Sequence, residues 1–250
     1  MKPLFLFILS LSTLFCTAQT EEELISKADR LETALDENNA YFTFLEALKI
    51  NPNNYYSNWK VAELCSRIGA RQPTLAKKTE FFQAGKFYAQ RAIKLNPNGA
   101  DGYYTLVVSM GRLAITQSGK EKLRSVKEIK VYIDKTLALN PNYARAWHAL
   151  GKWHYEVSNL GFMERTAARI MYGGIPSASL KESIAAYEKA RQLEPDFNLN
   201  YLELAKAYKR NDQKDKALAL LRQLATMPIK TLDDKRIRTE GARLLQEWSK

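Results

Sequence analysis

The chain has 250 residues, 46% of them hydrophobic and 26% charged, with a formal net charge of +11. That composition excludes a wholly disordered chain, and the length allows one large domain or two small ones. Two cysteines, Cys16 and Cys65, are too few for a Cys-rich metal site.

The first residues stand apart. Lys2 precedes an almost unbroken apolar run from Leu4 to Phe15, with small residues at Thr17 and Ala18. A positive start, about 7–15 apolar residues and a small-residue exit describe a secretory signal peptide over 1–18. Cleavage is expected after Ala18, leaving Gln19 first and the protein periplasmic or secreted. Lipid attachment at Cys16 and a retained membrane anchor are the alternatives. Once Cys16 is removed, Cys65 has no partner within the chain, and its apolar helical setting predicts a buried thiol.

Thr20 with Glu23 forms a capping-box pattern that opens a first helix over 20–36, paired with 39–50. Helices over 54–70 and 74–95 follow, then 101–117 and 120–139. The next helix, 144–171, is unusually long and ends at Gly173-Gly174-Ile175-Pro176, after which Ser177 or Ser179 caps 178–193. Helices over 197–211 and 214–226 make a fifth pair. A terminal helix over 232–249 carries Ile237, Leu244, Leu245 and Trp248 on an amphipathic pattern.

The junctions repeat. Ile50-Asn51-Pro52-Asn53, Leu95-Asn96-Pro97-Asn98, Leu139-Asn140-Pro141-Asn142 and Leu193-Glu194-Pro195-Asp196 are alike, and Ala225-Thr226-Met227-Pro228 is a looser fifth. Proline lacks an N–H and clashes with the preceding turn, so it ends the helix, and Asn or Asp suits the turn and the next cap. An aromatic helix start follows each of the first four: Trp59, Tyr103-Tyr104, Trp147 and Tyr201. Trp147-x-x-Leu150-Gly151 and Tyr201-x-x-Leu204-Ala205-x-x-Tyr208 match the spacing of a tetratricopeptide helix pair, whose small residue admits the paired helix and whose large residues fill the groove. The prolines stand 45, 44, 54 and 33 residues apart, and only the last matches the usual period of about 34. The chain therefore reads as an all-α tetratricopeptide-type solenoid of about five helix pairs plus a capping helix. It forms a single domain over 19–250 with an insertion at about 156–176.

Little of the sequence suggests catalysis. His148 and His154 are six residues apart and point to different faces of a helix, so packing and not metal ligation is expected. No G-x-S-x-G turn is present, and Gly173-Gly174 lacks the Lys-Ser/Thr of a phosphate loop. No cofactor or metal is expected, and no enzymatic activity.

Resemblance to tetratricopeptide arrays implies that the first helix of each pair lines a concave surface through its second, fifth, ninth and twelfth residues. These are Asp101, Tyr104, Val108 and Gly111, then Arg145, His148, Lys152 and Tyr155, then Leu199, Leu202, Lys206 and Lys209. The candidate groove is thus Tyr104, Arg145, His148, Lys152, Tyr155, Leu202, Lys206 and Lys209. Cations interleaved with apolar surface suit an acidic protein or peptide. Reversing Lys152 and Lys206 to Glu is expected to abolish capture and leave thermal stability nearly unchanged. Phe162, Arg165 and Arg169 in the insertion form a secondary surface. Anionic lipid is the alternative partner, and export argues against nucleic acid.

The segment from Ala144 to Pro228 carries a more specific likeness. It runs through Trp147-His148-Ala149-Leu150-Gly151-Lys152-Trp153, Glu164-Arg165, Tyr172-Gly173-Gly174-Ile175-Pro176-Ser177, Tyr187-Glu188-Lys189-Ala190 and Asn200-Tyr201-Leu202-Glu203-Leu204-Ala205-Lys206. It resembles the regulator of microtubule dynamics family of tetratricopeptide proteins. The resemblance implies an all-helical binding module without catalysis.

Overall fold

The junction motif builds one turn three times over. Asn51, Asn96 and Asn140 each donate the backbone N–H to a carbonyl four residues back, on Ala47, Ala92 and Thr136, at 2.9 Å. Each side-chain oxygen then accepts the N–H two residues on, from Asn53, Asn98 and Asn142, at 3.0–3.1 Å. Each backbone carbonyl accepts from three residues on, at 3.1–3.3 Å. Asn thus accepts the two N–H groups of the turn that have no helical carbonyl to bond. Glu194 keeps the two backbone bonds but not the side-chain one. Six residues past each proline, a side chain reaches back to its carbonyl: Asn58 to Pro52 at 3.1 Å, Tyr103 to Pro97 at 3.2 Å and Trp147 to Pro141 at 2.8 Å. Tyr103 and Trp147 therefore tie down the turn, whereas the spacing alone predicts groove filling.

In the computed structural model, which describes residues 19–117 and 119–250, these turns join twelve helices. They are α1 (Glu21–Thr33), α2 (Glu37–Ile50), α3 (Tyr55–Ala70), α4 (Leu75–Leu95), α5 (Ala100–Ala114), α6 (Gly119–Leu139), α7 (Ala144–Ser158), α8 (Phe162–Tyr172), α9 (Leu180–Leu193), α10 (Asn198–Arg210), α11 (Lys214–Thr226) and α12 (Leu232–Trp248). No strand forms among the described residues, and no helix there is long and apolar enough to cross a membrane. The expected signal peptide, with Cys16, lies outside the described residues.

Five hairpins pair α1 with α2, α3 with α4, α5 with α6, α7 with α9, and α10 with α11, and α12 closes on α11 and α10. The apolar interior follows this order. Phe44, Val61, Leu64 and the buried Cys65 fill the N-terminal end, Leu106, Met110, Ile133 and Trp153 the middle, and Tyr187, Leu204, Leu221 and Leu224 the C-terminal end. Gly151 is the small residue the repeat requires. A Cβ there would lie 2.7 Å from the Tyr187 ring, so α7 and α9 could not approach as they do.

The capping box on Thr20 and Glu23 forms at α1, and Ser179 caps α9. The expected single helix over 144–171 is instead two. Asn159 and Leu160 tighten onto the carbonyls of Glu156 and Val157. The Arg165 guanidinium, from the first turns of α8, then donates to the Val157 and Leu160 carbonyls at 3.0 and 3.1 Å. That side chain satisfies carbonyls a continued helix would have used itself. Gly173 and Gly174, both at positive φ, end α8, and Gly174 donates back to the Ala168 carbonyl.

Candidate functional site

Residues three, four or seven apart share one face of a helix. Lys60, Glu63 and Arg67 do so on α3, Arg145 and Lys152 on α7, Glu203 and Lys206 on α10, and Asp233, Arg236 and Glu240 on α12. Because α3 packs on α5, α5 on α7, α7 on α10 and α10 on α12, these faces share one concavity.

Ion pairs run along it without a break. Lys60 meets Asp29 and Glu32 of α1. Arg67 links Glu32, Glu37 and Glu63. Arg71, just past α3, joins Glu37 to Asp233 of α12, the latter at 3.2 Å. Arg236 lies 3.9 Å from Asp233 and 3.8 Å from Glu240, and Glu240 meets Lys206 at 2.7 Å. Glu203 takes Lys206 at 3.0 Å and Lys152 at 2.7 Å, and Lys152 ends on Glu156. A branch crosses from Glu63 to Arg145 at 2.8 Å and on to Glu194 at 3.5 Å.

Two carboxylates in this wall, Glu203 and Glu32, are held charged. Burial would push the Glu203 carboxyl up, but Lys152 and Lys206 outweigh it and keep it below the usual carboxylate range. Glu32 is lowered in the same way, with Lys60 and Arg67 overcoming its burial. Glu37 is fully buried, and both its oxygens accept from guanidinium groups. A buried pair left with one partner is strongly destabilising, so these contacts hold the helices in register.

The structure brings most of the predicted groove residues together. Arg145, Lys152 and Lys206 face the concavity, each bound to two carboxylates. Tyr155 lies between Lys152 and Arg210, whose charged groups sit 5.7 and 5.0 Å from its ring centre. Tyr104 stacks on Tyr143 at 5.0 Å, and Lys209 lies 6.0 Å from the Trp248 ring. Two predicted residues turn into the core. Leu202 is 1% exposed and packs between α9 and α11. His148 is enclosed by Tyr187 and Phe197, with Nδ1 3.0 Å from the Asn200 side-chain oxygen. Neither touches solvent enough to meet a partner. On α8, Phe162 opens the helix, Arg165 is spent on the Val157 and Leu160 carbonyls, and Arg169 is exposed.

The carboxylates Glu32, Glu37, Glu63 and Glu203 and the cation Arg112 escape sequence reasoning. Each of these carboxylates has a partner remote in the chain, such as Lys60 for Glu32, Arg67 for Glu37, Arg145 for Glu63 and Lys152 for Glu203, and Arg112 sits one place past the inward position, Gly111. Among the described residues, no cluster of three His, Cys, Asp or Glu is placed to hold a metal. What the wall offers is an ion-paired, charge-alternating surface with aromatic faces.

The family described as regulator of microtubule dynamics protein 1-3 matches residues 24–249. Regulator of microtubule dynamics protein 1 of Bos taurus is 27% identical over 194 residues, which cover 76% of this chain and 61% of that protein. Regulator of microtubule dynamics protein 3 of Xenopus laevis is 26% identical over 230 residues, covering 90% of this chain and 50% of that protein. The chain thus spans between half and about three-fifths of these two relatives. Among solved structures, a thermophilic tetratricopeptide protein of Thermus thermophilus superposes with a TM-score of 0.66 at 17% identity, covering 90% of this chain and all of that one. The likeness is one of fold.

Proposed function

This chain belongs to the regulator of microtubule dynamics family, and on that premise we propose that it is a non-catalytic tetratricopeptide scaffold that binds a protein or peptide along its concave face. The carrying observation is the continuous ion-paired wall from Asp29 to Glu156. It fixes six helices around a concavity whose first-helix faces still present Tyr104, Tyr155 and Gly111 to a ligand. A groove held rigid before binding loses little entropy when it is filled.

Gly111 gives a clean test. It is exposed in the last turn of α5, on the concave side, and a Cβ there would meet nothing within 4 Å. Gly111→Trp therefore adds bulk to the concave side from a Cβ that meets no neighbour. Affinity capture from the native cell should recover a partner with the wild-type chain and lose it with Gly111→Trp, at equal melting temperature. Equal capture by both variants contradicts a concave site.

The proposal places the protein outside the cytoplasm, supported by the signal-like pattern over 1–18. N-terminal sequencing of native material should begin at Gln19; an intact Met1 argues against it. A membrane surface is the second reading, favoured by Met163 and Ile170, which stand in water beside Arg165 and Arg169 on α8. Salt-sensitive binding to anionic vesicles would support it, and no binding at low ionic strength would remove it.

A further inference from the structure

Among the described residues, Arg112 is a cation on the concave wall with no carboxylate of its own, as is Lys209, which lies instead against the Trp248 ring. Lys60, Arg67, Arg71, Arg145, Lys152, Lys206 and Arg236 all pair. Arg112, near the end of α5, makes no ion pair or hydrogen bond with any described residue. Asp233 acts on it from a distance but is already engaged by Arg71 and Arg236. Arg112 is half-buried, so its guanidinium has given up part of its hydration without compensation.

Two features complete a receptor around it. The Tyr104 hydroxyl donates to no described residue. Burial pushes that phenol up to about 12, so it is a standing O–H donor, and Arg145 and Arg112 act on it against Glu63 and Glu194. Gly111 leaves the space beside the guanidinium open to solvent. A two-pronged guanidinium and a hydroxyl, both lacking acceptors and both facing an open floor, match an oxyanion.

We propose that Arg112 and Tyr104 form an anion-recognition site on the concave face of α5, and that its ligand is a single side-chain carboxylate of an extended acidic polypeptide segment. This rests on the scaffold reading and adds the chemistry of the contact. Monovalency follows from the surroundings. Arg112 is the uncompensated cation at this site, while Glu63 and Glu194 beside Tyr104 and Asp233 beside Arg112 disfavour a doubly charged phosphate more than a single carboxylate. The concave placement also favours a strand of chain over a flat bilayer.

The test is calorimetric titration of the full-length protein at low ionic strength. The probes are an acetylated, amidated hexaglutamate peptide and hexaglutamine. Hexaglutamate should bind and hexaglutamine should not. Arg112→Gln should weaken hexaglutamate about tenfold or more, in line with loss of a charge-assisted contact. Its melting temperature should not fall, because no internal partner is lost. Tyr104→Phe keeps the stack on Tyr143 and should weaken binding by a smaller factor. Lys181→Gln, an exposed cation on α9, should leave binding unchanged. Undiminished binding by Arg112→Gln, or no binding of hexaglutamate by the wild type, overturns the site. Phosphatidylserine vesicles that recruit the wild type but not Arg112→Gln, with hexaglutamate inert, would assign the anion to lipid and overturn the polypeptide ligand. Failure here, with Gly111→Trp still blocking capture, leaves the concave scaffold standing and removes only this contact.

Discussion

Burial between Tyr187 and Phe197 pushes the His148 imidazole down to about 4, despite its bond to Asn200. The folded protein thus keeps His148 neutral where an unfolded chain, with a His pKa of about 6.5, takes up a proton. Stability from the neutral imidazole is complete above pH ~6.5 and drains away as the pH falls toward 4. Burial lowers His154 in the same direction. Between pH 7 and pH 5, denaturant titration should show His148 alone contributing a loss of about 2 kcal/mol, absent in His148→Gln. An equal loss in the variant would place the titration elsewhere. Tyr187 gives a second residue-scale expectation. Its hydroxyl is buried without a hydrogen-bond partner. Tyr187→Phe should therefore be neutral or stabilising by about 1 kcal/mol, while Gly151→Ala beneath the same ring should cost roughly 1–3 kcal/mol. A large loss in Tyr187→Phe would mean the hydroxyl has a partner in solution.

Between elements, the ion pairs set the outcome of substitution. Glu203 of α10 is nearly buried between Lys152 of α7 and Lys206, so the double reversal Lys152→Glu and Lys206→Glu gathers carboxylates around a desolvated one. Sequence reasoning expects that reversal to spare stability; the structure predicts a loss of roughly 3 kcal/mol or more in chemical unfolding. Adding Glu203→Lys should restore most of it, and no rescue would show that the loss arises elsewhere. The Asn-Pro-Asn turns, the caps at Thr20 and Ser179 and the small Gly151 were legible because each depends on residues a few places apart. The break between α7 and α8 was not, since its cause is the Arg165 side chain folding back onto carbonyls of the preceding helix. The groove was legible in outline only. Repeat positions place Tyr104, Arg145, Lys152 and Lys206 on the concave wall. The carboxylates that answer such cations lie 28 residues away for Lys60 and 162 for Arg71, and no local pattern connects them. Leu202 and His148 fell inward because α10 packs close against α7, α9 and α11.

At the scale of the whole molecule, the chain closes on itself. Arg71 and Asp233 join the second hairpin to the terminal helix, and Arg145 and Glu63 span the space between the second and fourth. The solenoid is thereby braced from inside, and its concave face is fixed before any ligand arrives. The central claim is that this face is where the partner docks. Amine cross-linking of the captured complex, read by mass spectrometry, addresses it most directly. Lys152 and Lys209 mark the concave side, and Lys94 and Lys135, exposed on α4 and α6, mark the outer helices. The concave account predicts partner cross-links at Lys152 and Lys209, whereas cross-links confined to Lys94 and Lys135 would contradict it.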